Sequence, residues 1–314
     1  MQDSPLFMGV DVSKAGLVIA TSAAQRLRSI ANDALSIGRW LRQVPSHALL
    51  AMESTGRYHA LLAHLASQAG FKVYVLNARD VYFYARALGT RAKTDGVDAL
   101  VIARYLAEHH ARLHPWQAGS ALEQQLQQLL SRRAQLGVSQ ARLKQLLADT
   151  ELDARALLGA FESLLQALDA KVQALIAGDV PLSQGYQRLR TITGIGPQTA
   201  ALLATLLSRF EFANADALVA YCGLDPRAND SGTKRGHRRL SKKGPPLLRR
   251  QIYMAGFAAS SSKALKPLYR ALRAKGFAAT EAFIILGRKL LRVAFAIWKG
   301  TASFDPARLL PTTA

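Results

Sequence analysis

The 314 residues include a single cysteine, Cys222, which excludes an internal disulfide and a cysteine-rich zinc site. No apolar run approaches the ~18 residues of a membrane-spanning helix, and no lipidation signature is present. The opening MQDSPLFMGV lacks a basic n-region and a long apolar h-region, so a cytoplasmic, non-secreted and non-membrane protein is expected. Carboxylates are also scarce: 21 Asp and Glu stand against 41 Lys and Arg, giving a formal charge of +20. Such a field repels itself unless a polyanion compensates it, and nucleic acid is the leading candidate. With half its residues hydrophobic, the chain can bury a real core.

The acid shortage is local. Residues 186–314 hold 22 Lys and Arg against 6 Asp and Glu, and no acid occurs from Ser231 to Thr280. The polyanion therefore meets the C-terminal third first.

Three regions follow from the patterning. In residues 1–116, LFMGVDVSK and GLVIATS read as a strand hairpin, RLRSIA as a third strand, DALSIGRWLRQV as a helix capped by Asn32 or Asp33, and HALLAMEST as a buried strand. RYHALLAHLASQAG then reads as a helix, FKVYVLN as a strand, and the stretch from Ala78 as helix again. The order βββαβαβα predicts a mixed sheet with flanking helices. Residues 117–185 carry Leu122, Leu129, Leu136 and Leu143 at seven-residue spacing, with Leu126 and Leu147 on the seam and Arg133 and Gln140 interrupting it. That pattern fits one arm of a helical hairpin or a dimerising coiled coil, and a second apolar helix carrying Phe161, Leu164, Leu165, Leu168, Val172 and Leu175 favours a coiled-coil helical hairpin. Residues 186–314 read as helical with glycine-rich joints, so the whole is α/β plus α.

Four acids in the first region form an ordered set. Asp11 sits in an apolar strand, where a charge needs a partner. Glu53 ends a later strand, and Asp95 and Asp98 share one face of a helix in KTDGVDALVIARYL. Hard oxygen donors of this kind suit Mg²⁺ or Mn²⁺. Two such ions ~3.5–4 Å apart activate a nucleophile and stabilise the leaving oxygen at a phosphodiester. For Asp95 the competing role is a helix cap, shared as a candidate with Thr94; for Glu53 it is a strand-end surface residue.

VDVSK, ESTG and KTDGVDA resemble the DEDD domain of the bridge-RNA-guided transposases of bacterial insertion sequences, a family related to the Piv-type DNA invertases. The resemblance implies a RuvC-like, RNase H-type fold and a metal site formed by Asp11, Glu53, Asp95 and Asp98. The stretch YCGLDPRANDSGTKRGHRRLSKKGPPLLRR resembles the second signature of the same family and places Ser231 at the nucleophile position. There the serine forms a transient phosphoserine link to DNA, with the acids of a DEDD domain assisting. Two positions depart from the family's habit: Ala78 follows Asn77, and Pro245 stands where Asn is common. The partners this implies are donor and target double-stranded DNA, a structured bridge RNA and further copies of the chain, as a dimer or tetramer.

Read without the family, Ser231 lies in a turn-forming NDSG. A hydroxyl becomes a nucleophile only with a base or metal, and the charge developing on phosphorus needs cations. Lys234, Arg235, Arg238, Arg239, Lys242, Lys243, Arg249 and Arg250 supply them, chiefly as sequence-independent phosphate contacts. His237 is a candidate base or a solvated surface residue. In LRTITGIGPQTAALLATL, the turn at Gly194, Ile195 and Gly196 offers backbone N–H groups to a phosphate, or serves simply as a tight joint between helices. Tyr82, Phe83 and Tyr84 can stack on RNA bases, although core packing is expected for at least one. The rival readings are a metal-only junction endonuclease and a non-catalytic nucleic-acid-binding protein.

Overall fold

The structure, a computed structural model, describes residues 5–22, 27–54, 56, 58–89, 94–148, 150, 152–227, 236, 238–300 and 304–309. The chain forms two compact units, Met1–Ala118 and Gly119–Ala314.

The first unit runs β1 (Leu6–Val12), β2 (Gly16–Thr21), β3 (Arg28–Ala31), α1 (Ala34–Leu41), β4 (Ala48–Glu53), α2 (His59–Gln68), β5 (Lys72–Leu76), α3 (Ala78–Ala87) and α4 (Asp95–His109). The strands line up as β3-β2-β1-β4-β5. β2 is antiparallel to both neighbours, while β1, β4 and β5 are parallel. This is the mixed sheet the patterning predicts, with one difference: the helical stretch after β5 is two helices. The Ser13 hydroxyl and backbone close the β1–β2 turn onto Gly16 O at 2.8 and 2.9 Å.

Alternation sorts the strands onto two cores. Met8, Val10, Val12, Leu17, Ile19, Leu50 and Met52 face α1 and α2, where they meet Ile37, Trp40 and Leu62. Phe7, Leu49, Ala51, Tyr74 and Leu76 face α3 and α4, where they meet Val81, Val101, Ile102 and Leu106. Because the central strands are covered on both sides, they read in sequence as nearly continuous apolar runs. Asp33 takes the α1 cap, accepting from the Ser36 N–H at 2.8 Å. Asn32 does different work, donating to Ser13 O at 2.9 Å.

The second unit opens with two long helices, α5 (Ala121–Leu147) and α6 (Arg155–Ala177), followed by α7 (Val180–Arg190), α8 (Pro197–Arg209) and α9 (Ala215–Tyr221). A short ribbon comes next, β6 (Pro226–Arg227) paired with β7 (Arg239–Leu240), and then α10 (Pro246–Ser261), α11 (Lys266–Ala274) and α12 (Ala279–Lys299). Ser120 and Glu123 form a capping box at the start of α5. The two residues that interrupt the α5 seam find their partners on α6. Arg133 grips Asp169 through two nitrogens at 2.9 Å each, and Gln140 donates to Glu162 at 3.2 Å. The seam therefore closes within one chain as a helical hairpin. Its lower end, with Leu126, Leu129, Val172 and Ile176, shares one core with Leu189, Leu203, Leu218, Ile252 and Leu290.

Candidate active site and nucleic-acid interface

Val10 of β1 is in register with Met52 of β4. The next residue on each strand is an acid, Asp11 and Glu53, so the two carboxylates stand side by side on neighbouring parallel strands and on one sheet face. That face is the one covered by α3 and α4. Gly9, two residues before Asp11, marks how closely α4 approaches: a Cβ there would lie 2.2 Å from Ala99 O and 2.3 Å from Ala103 N. Only glycine permits this contact.

The first turn of α4 carries Asp95 and Asp98. The Thr94 hydroxyl accepts from the Val97 N–H at 3.4 Å, so capping falls to Thr94 and Asp95 does not have that job. Asp95 is exposed and Asp98 half-buried. All four acids thus belong to one side of one sheet. The described residues nevertheless contain no group of three or more His, Cys, Asp or Glu close enough to hold a metal ion. The donors suit a hard divalent cation, and the adjacent pair Asp11 and Glu53 is the part of the set that the structure assembles.

In the second unit, Ser231, Lys234 and Arg235 lie outside the described residues, as does His237. The two ends of the segment that contains them are described: Arg227 pairs with Arg239 across the β6–β7 ribbon. Sequence reasoning did not anticipate this ribbon or its base. Ser241 donates from its backbone to Asp225 O at 3.0 Å and from its hydroxyl to the Asp225 carboxylate. Lys242 holds a positive φ of 54°, rare for a residue with a side chain, and its N–H donates to Gly223 O at 3.1 Å.

Gly223 and Gly244 pass backbone to backbone just below. A Cβ on Gly244 would fall 1.9 Å from Tyr221 O, and one on Gly223, whose φ is +66°, 2.6 Å from Gly244 N. The Arg249 guanidinium donates to Gly244 O, tying α10 to this crossing. Burial pushes the thiol of neighbouring Cys222 up to about 12, which makes it a packing residue. The signals in the sequence were the two glycines and Asp225, but nothing local pairs residues so far apart.

Arg238, Arg239, Lys242, Lys243 and Arg250 are exposed, and Arg249 is half-buried. Pro245, at the position where Asn is common in the family, sits in extended backbone at the start of α10 with Pro246 in the first turn. Gly194 adopts φ +94°, and a Cβ there would be 2.7 Å from Ala255 O. The Ile195 N–H already bonds Ile192 O at 2.9 Å inside the turn, and Gly196 precedes α8. This joint therefore packs against α10. On α3, Tyr84 packs inward, whereas Tyr82 and Phe83 are 55% and 52% exposed.

A DEDD-type IS110 transposase family matches residues 8–151, which include all four acids. A second family description, transposase of the IS116/IS110/IS902 family, matches residues 186–270, which include Ser231 and the basic stretch. Over 264 residues the chain is 30% identical to the pilin gene-inverting protein of Moraxella bovis, spanning 82% of this chain and 81% of that one. The chain belongs to the IS116/IS110/IS902 transposase family. An uncharacterized 43.6 kDa protein of insertion element IS110 from Streptomyces coelicolor is 32% identical over 142 residues, 45% of this chain and 34% of its own. As an IS110-family protein, this chain is an enzyme of the DNA recombinase and transposase class.

Proposed function

We propose that this IS110-family enzyme cuts and rejoins DNA strands through a phosphoserine link at Ser231, in transposition or in inversion of a DNA segment. The observation that carries the reading is the placement of Asp11 beside Glu53 on the sheet face that α4, with Asp95 and Asp98 in its first turn, packs against. Two carboxylates side by side repel, and a shared cation relieves that repulsion. The sheet order and the position of the acids fit an RNase H-like domain of the RuvC type. We further assign residues 1–116 to this domain, 117–185 to the hairpin and 186–314 to the basic domain bearing the serine.

Asp11, Glu53, Asp95 and Asp98 would hold Mg²⁺, or Mn²⁺ in its place. When bound, the cation would polarise phosphodiester oxygens and neutralise the charge that builds there. Ser231 Oγ attacks phosphorus; the bond from phosphorus to one deoxyribose oxygen breaks, and that oxygen departs as a hydroxyl with the serine proton. A hydroxyl of the second strand then attacks the phosphoserine, and the proton returns to Ser231. One ester replaces another at each step, so no nucleotide cofactor is consumed. Arg238, Arg239, Lys242, Lys243 and Arg250, exposed around the ribbon, hold phosphates, together with Lys234 and Arg235 of the same basic stretch. Arg249 braces the crossing at Gly244, and the joint at Gly194 and Gly196, whose Ile195 N–H is bonded within the turn, would offer phosphate only the N–H groups of the two glycines. A bridge RNA selects the donor and target duplexes, and a dimer or tetramer brings them together.

Strand exchange between two duplexes tests this directly. Asp11→Asn, Glu53→Gln and Ser231→Ala should each abolish joined product while leaving the melting temperature unchanged. Normal exchange by Ser231→Ala would remove the serine from the mechanism and favour a metal-only nuclease.

A further inference from the structure

Helix α3 leaves the sheet beside the carboxylates, since Glu53 pairs with Leu76 and the helix cap is the next residue, Asn77. Its inward side is conventional: Val81 is buried, and Tyr84 packs edge-on against Tyr105 with centroids 5.2 Å apart. Its outward side is not. Tyr82 and Phe83 are each more than half exposed, with ring centroids 5.5 Å apart at 70°. A guanidinium accompanies each ring. Arg79 lies 5.5 Å from the centre of Phe83, and Arg86 lies 5.9 Å from Tyr82 and donates to its hydroxyl at 3.4 Å. Both arginines are exposed.

Two large rings more than half exposed side by side stabilise the fold less than buried ones would. Rings interleaved with cations are what unpaired nucleotides require: a π-face for each base and a positive charge for each phosphate. A protein interface also favours Tyr, Phe and Arg, but the carboxylates at the same end of the sheet favour a nucleic-acid strand here. A duplex would engage the arginines but leave the rings idle, because its bases are already stacked. The position selects among single strands. From Asn77 to Phe83 the helix axis rises about 9 Å, so the rings stand close to the sheet edge that carries Glu53. A base stacked there belongs to the strand whose phosphate reaches the acids.

We propose that Tyr82 and Phe83, framed by Arg79 and Arg86, form a stacking site for unpaired deoxynucleotides next to the phosphodiester being cut. The proposal rests on the acids acting at DNA, as inferred above. Its readout is binding, so it stands or falls whether or not exchange passes through Ser231.

The test uses the full chain and a fluorescein-labelled oligothymidine of roughly a dozen nucleotides, with a duplex and an oligouridine of equal length alongside. Tyr82→Ala and Phe83→Ala should each weaken oligothymidine binding by about fivefold or more and change duplex binding by less than about twofold, since phosphate contacts dominate there. Tyr82→Phe and Phe83→Tyr, which keep the rings, should retain affinity. Unchanged oligothymidine affinity in the double alanine variant overturns the proposal. So does a loss confined to oligouridine, which would give the face to RNA.

Discussion

Gly9 and Ala103 are in backbone contact, with room for hydrogen and nothing larger: a Cβ on Gly9 would stand 2.3 Å from Ala103 N. This contact seats α4, and with it Asp95 and Asp98, on the same face as Asp11. Backbone atoms cannot step aside as a flexible side chain can. Gly9→Ala should therefore destabilise the protein by at least about 1–3 kcal/mol in urea unfolding and reduce strand exchange at temperatures where the variant is still folded. Wild-type stability and activity in Gly9→Ala would show that α4 is not held this way.

Arg133 and Asp169 tie the hairpin together, with side chains only 19% and 30% exposed. Removing one partner leaves a half-buried charge behind. Asp169→Leu and Arg133→Met should each cost about 1–3 kcal/mol, whereas the double variant should recover most of the loss, because an apolar pair leaves no ion unpaired. Additive losses in a double-mutant cycle would show the pair to be energetically uncoupled.

Alkali should weaken both units, each through a neutral acid kept from ionising. Burial raises Cys222 from 9.0 and Tyr84 from 10.0, each to about 12. The unfolded chain releases these protons first, so the stabilisation is complete below about pH 9 and falls away as pH rises toward 12. Cys222→Ala should flatten the early part of that decline in unfolding measurements across the pH range. Native Cys222 should also resist iodoacetamide at pH 8 and react once the chain is unfolded in urea. Rapid labelling of the folded protein would contradict the buried, protonated thiol.

Much of the first unit is legible because its signals are local. Short β-rich apolar runs bounded by turn residues fix the strands, and Gly70, at φ +88°, stops α2 where a glycine after a helix predicts a stop. Choices between neighbours were not legible. Asn32 and Asp33 are equally good caps by type, and tertiary bonding from Asn32 to Ser13 decides between them. Arg133 and Gln140 look like flaws in a seam until Asp169 and Glu162 face them from α6. The β6–β7 ribbon escaped notice because two-residue strands carry no period, and Asp225 and Ser241 meet across a segment that sequence spacing does not close. Among the aromatics, the run from Tyr82 to Tyr84 does not tell which ring turns inward. Helical geometry on the sheet does, burying Val81 and packing Tyr84 inward while leaving the two rings between them in water.

The most direct measurement is to trap the enzyme on a nicked suicide duplex with Mg²⁺ and map any protein–DNA adduct by mass spectrometry. The account predicts one covalent adduct, at Ser231, absent from Ser231→Ala and strongly reduced in Asp11→Asn. Cleaved DNA with free ends and no adduct, or an adduct at any other residue, would contradict it.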